Sequence, residues 1–139
     1  MRLYKANSLV IDCDGALKKL YMTCLSALVS SEFREGLMAA LECAEKHHIK
    51  LWLLDLREIG ELDEKEEEWL HRYFFPSIMA KLGAGNYVAM VLSEKCYNLL
   101  LHEAGKYGLR SYNEVIIMKN FFDLEEADNW LNTKAPHLA

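Results

Sequence analysis

At 139 residues, with 52% hydrophobic and 27% charged side chains, the chain is long enough for one hydrophobic core and too short for two secure ones. Its net charge of −5, from 21 acidic and 16 basic residues, lacks the basic excess that neutralises a phosphate backbone, so no nucleic-acid partner is expected. No apolar run approaches the roughly 20 residues that span a bilayer, and residues 1–7 carry no apolar signal core, so no membrane role and a cytoplasmic location are expected.

Cys13, Cys24, Cys43 and Cys96 form no C-x-x-C pair, and three of them sit in apolar segments. They read as small core fillers in a reducing compartment.

Residues 8–13 and 18–24 both alternate apolar and polar side chains, with Asp14-Gly15 after the first run. Asp-Gly between two such runs predicts a β-hairpin with a primed turn, in which Gly15 supplies positive φ. Ser30 or Ser31 is placed to cap a helix whose apolar face is Phe33, Leu37, Ala40, Leu41 and Ala44. Acids lie near its start, and Lys46, His47 and His48 near its end, as the helix dipole favours. Residues 51–56 form a near-continuous apolar run, the pattern of a strand buried on both faces.

Asp63 then opens a second helix, with Glu66 as a capping-box partner and an apolar face from Trp69 to Leu82. Pro76 must kink or interrupt it, because proline has no N–H and its ring clashes with the preceding turn. Gly83 and Gly85 end it. Residues 87–92 predict a buried strand, 93–106 a shorter helix and 115–118 a last strand, and Asp123 caps a final helix through Leu124, Ala127, Trp130 and Leu131. The predicted order is ββαβαβαβα: an α/β domain with an N-terminal hairpin and a mixed, mostly parallel sheet.

The strand-to-helix junctions hold neither G-x-G-x-x-G nor a P-loop, and residues 57–62 are rich in carboxylates that repel phosphate. No G-x-S-x-G elbow occurs, and the histidines stand at no zinc-binding spacing with one another or with cysteine. No catalytic residue, metal site or cofactor is therefore assigned. The acidic run from Glu58 to Glu68 reads chiefly as a solvated helix start, with a docking face for a basic partner or a weak cation site as the alternatives.

Asp55 and Arg57 fall at the carboxyl end of the central strand, and Ser93 and Glu94 at the end of the next, the edge where open α/β sheets bind ligands. These four residues are the candidate ligand site; the competing reading is a structural Asp55–Arg57 pair. Trp69, Tyr73, Phe74 and Phe75 crowd one and a half helical turns. Either they form a partner surface, with a homodimer as the first candidate, or they embed the helix in the core.

The succession of Ser30-Ser31-Glu32-Phe33-Arg34-Glu35-Gly36, the apolar strand with Asp55-Leu56-Arg57, then Glu67-Glu68-Trp69-Leu70, Val88-Ala89-Met90-Val91-Leu92 and Phe121-Phe122-Asp123-Leu124 resembles small bacterial STAS-like proteins, similar to anti-sigma-factor antagonists. The resemblance runs from about Ser8 to Leu131. It implies a four- or five-stranded sheet with helices mainly on one side, no catalytic residues, and a role in protein interaction or ligand sensing. The phosphorylated serine of the antagonists has no counterpart, since no Ser or Thr occurs from Asp55 to Glu68. The function expected is a non-enzymatic interaction or regulatory module, with a small-ligand carrier or sensor as the alternative.

Overall fold

The computed structural model describes residues 1–59, 64–94 and 116–134. One mixed sheet holds β1 (Arg2–Lys5), β2 (Leu9–Asp14), β3 (Lys19–Cys24), β4 (Leu51–Asp55), β5 (Asn86–Val91) and β6 (Ile116–Phe121), neighbours in space in that same order. β1, β2 and β3 are antiparallel; β3 to β6 are parallel. The helices are α1 (Ser30–His47), α2 (Glu64–Trp69), α3 (Phe75–Leu82) and α4 (Leu124–Lys134), with a π-helical turn (Leu70–Phe74) joining α2 to α3. This is the α/β order expected, with one strand more. The predicted helix over 93–106 lies largely outside the described residues, as do Asp63, Cys96, His102 and His137.

Strand alternation sorts the side chains onto two faces. On the first, Leu9, Ile11, Leu20, Met22, Trp52, Leu54, Val88 and Met90 pack against Phe33, Leu37 and Leu41 of α1 and Phe74, Phe75 and Ile78 of the second helical run. On the second, Leu51, Leu53, Ala89, Val91 and Phe121 pack against Ala127 and Leu131 of α4. β4 is buried at every position because it is covered on both sides.

Several local details differ from the sequence reading. β1 precedes the hairpin and is not predicted: four residues with charges at both ends give little periodic signal. It is an edge strand, irregular at Arg2/Tyr4, tied by the Arg2–Asp12 ion pair and by the terminal ammonium of Met1 donating to the Cys13 carbonyl (2.8 Å). The hairpin forms, but not with a primed Asp-Gly turn. Asp14 pairs with Lys19, so residues 15–18 make a four-residue loop in which Asp14 Oδ1 accepts from the N–H groups of Ala16 and Leu17 (3.1 and 3.0 Å). The positive φ falls at Lys18 (53°), not at Gly15.

α1 starts at Ser30 with Val29 as its N-cap, and no side chain supplies the capping bond. Glu32 in its first turn instead accepts from the Ser8 hydroxyl (2.6 Å) and N–H (3.1 Å), joining the helix to the start of β2. His48 ends α1 in the left-handed conformation (φ 56°), and the Ile49 N–H returns to the Ala44 carbonyl.

Pro76 interrupts the regular register without ending the helical run. Ahead of it, the Phe75 N–H bonds five residues back to the Leu70 carbonyl, a π turn that passes the chain to Pro76 in the first turn of α3. The wider turn stacks Trp69 on Phe74, five residues apart, with centroids 5.7 Å apart and planes at 19°. Trp52 meets Phe74 edge-on from the sheet.

This geometry decides the aromatic quartet. Phe74 and Phe75 are each 1% exposed, and Trp69 packs partly buried against the same core, so these three embed the helix; only Tyr73, 62% exposed, faces outward. The acidic run also departs from a solvated helix start, because Glu66 and Glu67 are buried. Arg34 of α1 donates to both carboxylate oxygens of Glu66 (2.9 and 3.1 Å) while its guanidinium lies over the Trp69 ring, so two helices are locked through one charge pair.

Candidate functional site

A helix about 10 Å across covers roughly two strands spaced about 4.8 Å apart. α4 packs mainly on β5, β4 and β6 and reaches the start of β3 through Lys19 and Tyr21, which leaves the second face of β2 and of the carboxyl end of β3 without a helix among the described elements. The step between helix and bare sheet is a cleft of about 750 Å³. Its sheet wall is Asp12 from β2, Tyr21 and Thr23 from β3, and Leu53 and Asp55 from β4, with Arg57 just beyond; its helix wall is Asp123, Leu124, Glu125 and Asp128.

Sequence alternation puts the sheet residues there. Asp12, Tyr21, Thr23, Leu53 and Asp55 occupy the strand positions opposite to those feeding the first-face core, and the register sets Asp12 beside Tyr21, Tyr21 beside Leu53, and Thr23 beside Asp55. The helix wall follows from the cap of α4, where Asp123 Oδ1 accepts the Glu125 N–H (3.3 Å), as the sequence predicts for this residue.

Asp55 is buried at the end of β4, and Arg57 folds back onto it. The guanidinium donates from Nε to Oδ1 (2.9 Å) and from Nη2 to Oδ2 (2.8 Å), and the Arg57 backbone N–H adds a longer bond to Oδ1 (3.2 Å). Strand end and loop are therefore tied together, and the same pair forms part of the cleft wall. The structural pair is present, and its position in a cleft wall keeps a ligand role for these two residues open to test. Ser93 and Glu94 follow β5 and are not among the residues lining the cleft.

A second polar cluster sits where α4 crosses β3. The Lys19 ammonium, 1% exposed, donates to Asp128 Oδ1 (2.9 Å) and to Asn132 Oδ1, and the Tyr21 hydroxyl donates a long bond to the same Asp128 oxygen (3.4 Å). Burial first, then the negative charges of Asp128 and Asp14, push the Tyr21 phenol up to about 12, so it stays protonated at neutral pH. Burial and then Asp55 push the thiol of Cys24, on the other face of β3, up to about 12 as well, which leaves it a poor nucleophile.

The lining thus has a floor of ring and alkyl carbon from Tyr21, Leu53 and Leu124, and a rim of five carboxylates and one guanidinium. Among the described residues, no three His, Cys, Asp or Glu side chains are arranged to hold a metal ion. Sequence reasoning reached Asp55 and Arg57 through the strand-end rule and missed Asp12, Tyr21, Thr23, Leu53, Leu124, Glu125 and Asp128. The available signal was the polar half of the hairpin alternation, which marks a face outside the first-face core.

Compared with known protein families, curated proteins and solved structures, the chain matches none. No helix among the described residues is long and apolar enough to cross a membrane.

Proposed function

We propose that this chain is a non-enzymatic, STAS-like binding module and that the cleft beside α4 receives a small molecule. The observation that carries the reading is the opening itself, about 750 Å³ with an apolar floor and a polar rim. Ligand pockets commonly enclose roughly 300–1,000 Å³ with that division of chemistry. Its position supports the same reading, because it lies at the carboxyl ends of β3 and β4, where open α/β sheets bind ligands. Among the described lining residues the hydroxyls are those of Thr23 and Tyr21, no His, Lys or Cys stands with them to activate either, and the Tyr21 phenol stays protonated, which favours binding over nucleophilic turnover.

Native mass spectrometry after gentle purification tests this. The expected result is a mass above that of the polypeptide, removed by denaturation and lost in Leu124→Trp, whose indole fills the mouth. A bare polypeptide mass together with failure to take up any small molecule offered in solution counts against the reading.

A protein contact, including a homodimer through the helix after β4, is the second reading, and exposed Tyr73 is the observation that favours it. Light scattering distinguishes it: a dimer that Tyr73→Glu dissociates supports this interface, and a monomer removes it.

A further inference from the structure

Resting on the reading of the cleft as a small-molecule site, we propose that its ligand is an organic cation, an ammonium or guanidinium group carried on an apolar aryl or alkyl body. The body is set by the floor. Tyr21, Leu53 and Leu124 give a ring face and two alkyl side chains inside the cleft, and Leu124 is kept 40% exposed at its edge. An apolar group seated there gains roughly 25 cal/mol for each Å² it removes from water.

The charge is set by how the lining groups are committed. Arg57, the guanidinium of the lining, already gives Nε and Nη2 to Asp55. Asp12 is met by Arg2 and Asp128 by Lys19. Asp123 also faces the Arg57 guanidinium, near enough for its charge to raise the Arg57 pKa, without a close ion pair among the described residues, and Glu125 lines the cleft beside it. An anion entering would find the one guanidinium engaged and the α4 terminus screened by Asp123, Glu125 and Glu126. A cation would find a rim in which, among the described residues, five carboxylates outnumber the cations that meet them, above an apolar floor where a concave low-dielectric wall concentrates their field. A bare metal ion does not suit the rim, since among the described residues no three carboxylates are arranged to hold one.

The test is a titration of the isotopically labelled chain at low salt, followed by amide chemical shifts, with three probes of one shape: 2-phenylethylamine as its ammonium, 2-phenylethanol and 3-phenylpropionate. The ammonium is expected to move the amides of Tyr21, Leu53 and Leu124 saturably and to bind roughly tenfold tighter than the alcohol, with no shift from the carboxylate. Asp123→Asn with Glu125→Gln, which keeps an Asn cap on α4, is expected to weaken the ammonium by roughly tenfold. An alcohol or carboxylate that binds these amides as tightly as the ammonium overturns the cationic assignment while leaving the cleft as a ligand site. The cationic assignment also falls, and the cleft again stands, if the double variant binds the ammonium unchanged. If no probe moves these amides, both the assignment and the reading of the cleft fail.

Discussion

Taking a lysine ammonium out of water costs several kcal/mol unless the charge keeps its partners, and Lys19 keeps Asp128 and Asn132 under α4. The two ends of the pair are unequal: Lys19 is fully buried and Asp128 half-buried. Asp128→Ala strands the ammonium and should destabilise the fold by about 3 kcal/mol, whereas adding Lys19→Met to that variant should recover most of the loss. Urea unfolding of the three chains checks this, and an additive double variant would show the charge is not the cause. Tyr21 and Cys24 give a pH dependence of definite sign. Each holds its proton more tightly when folded, with ordinary values of 10 and 9 raised to about 12. The stability they contribute is complete below about 9 and lost as pH climbs to about 12. The urea midpoint should fall across that window and fall less in Tyr21→Phe; a flat profile contradicts the burial described. The burial of Cys24 was legible in its apolar segment, but the Lys19–Asp128 pair was not, because the two residues are 109 apart and no periodicity links them.

α1 lies close against the sheet at Gly36. A methyl group built there would stand 3.0 Å from a Leu9 methyl carbon and 3.3 Å from the Tyr4 ring. Replacing glycine by alanine inside a helix ordinarily stabilises by about 1 kcal/mol, but overpacking a filled core costs about 1–3 kcal/mol. Leu9 is fully buried and has little room to yield, so Gly36→Ala should lower stability by about 1 kcal/mol with an unchanged denaturant slope. A gain of stability would show that β1 and β2 give way. The helix containing Pro76 supplies a second test: Phe74→Ala should cost about 4 kcal/mol and Tyr73→Ala less than about 0.5. Similar losses at both positions would mean that the π turn does not sort the two rings as described. The sequence marked this element and its interruption. It did not reveal which ring turns inward, because a single bond reaching five residues back shifts every later side chain around the axis. The Asp-Gly turn misled for a comparable reason: Asp14 satisfies the loop through its side chain, so Gly15 has no need of positive φ.

Across the molecule, the order of β2 to β6 and of the described helices followed from hydrophobic periodicity, and the edge strand β1 did not. Where the described helices leave the sheet open did not follow, since that depends on the width of α4 against the strands beneath it and on which face α4 takes. The cleft comes from that mismatch. Its polar rim is what a strand face carries when no core lies over it, and its floor comes from the tyrosine and leucines at the margin of the α4 core. The proposed binding role rests on that open step beside the cap that starts α4. The most direct test is a crystallographic screen in which crystals are soaked with a set of small aryl and alkyl compounds. Bound fragments are expected to gather between Tyr21, Leu53 and Leu124. A cleft closed by Leu124 against Leu53, with fragments collecting only elsewhere on the surface, would contradict the binding role.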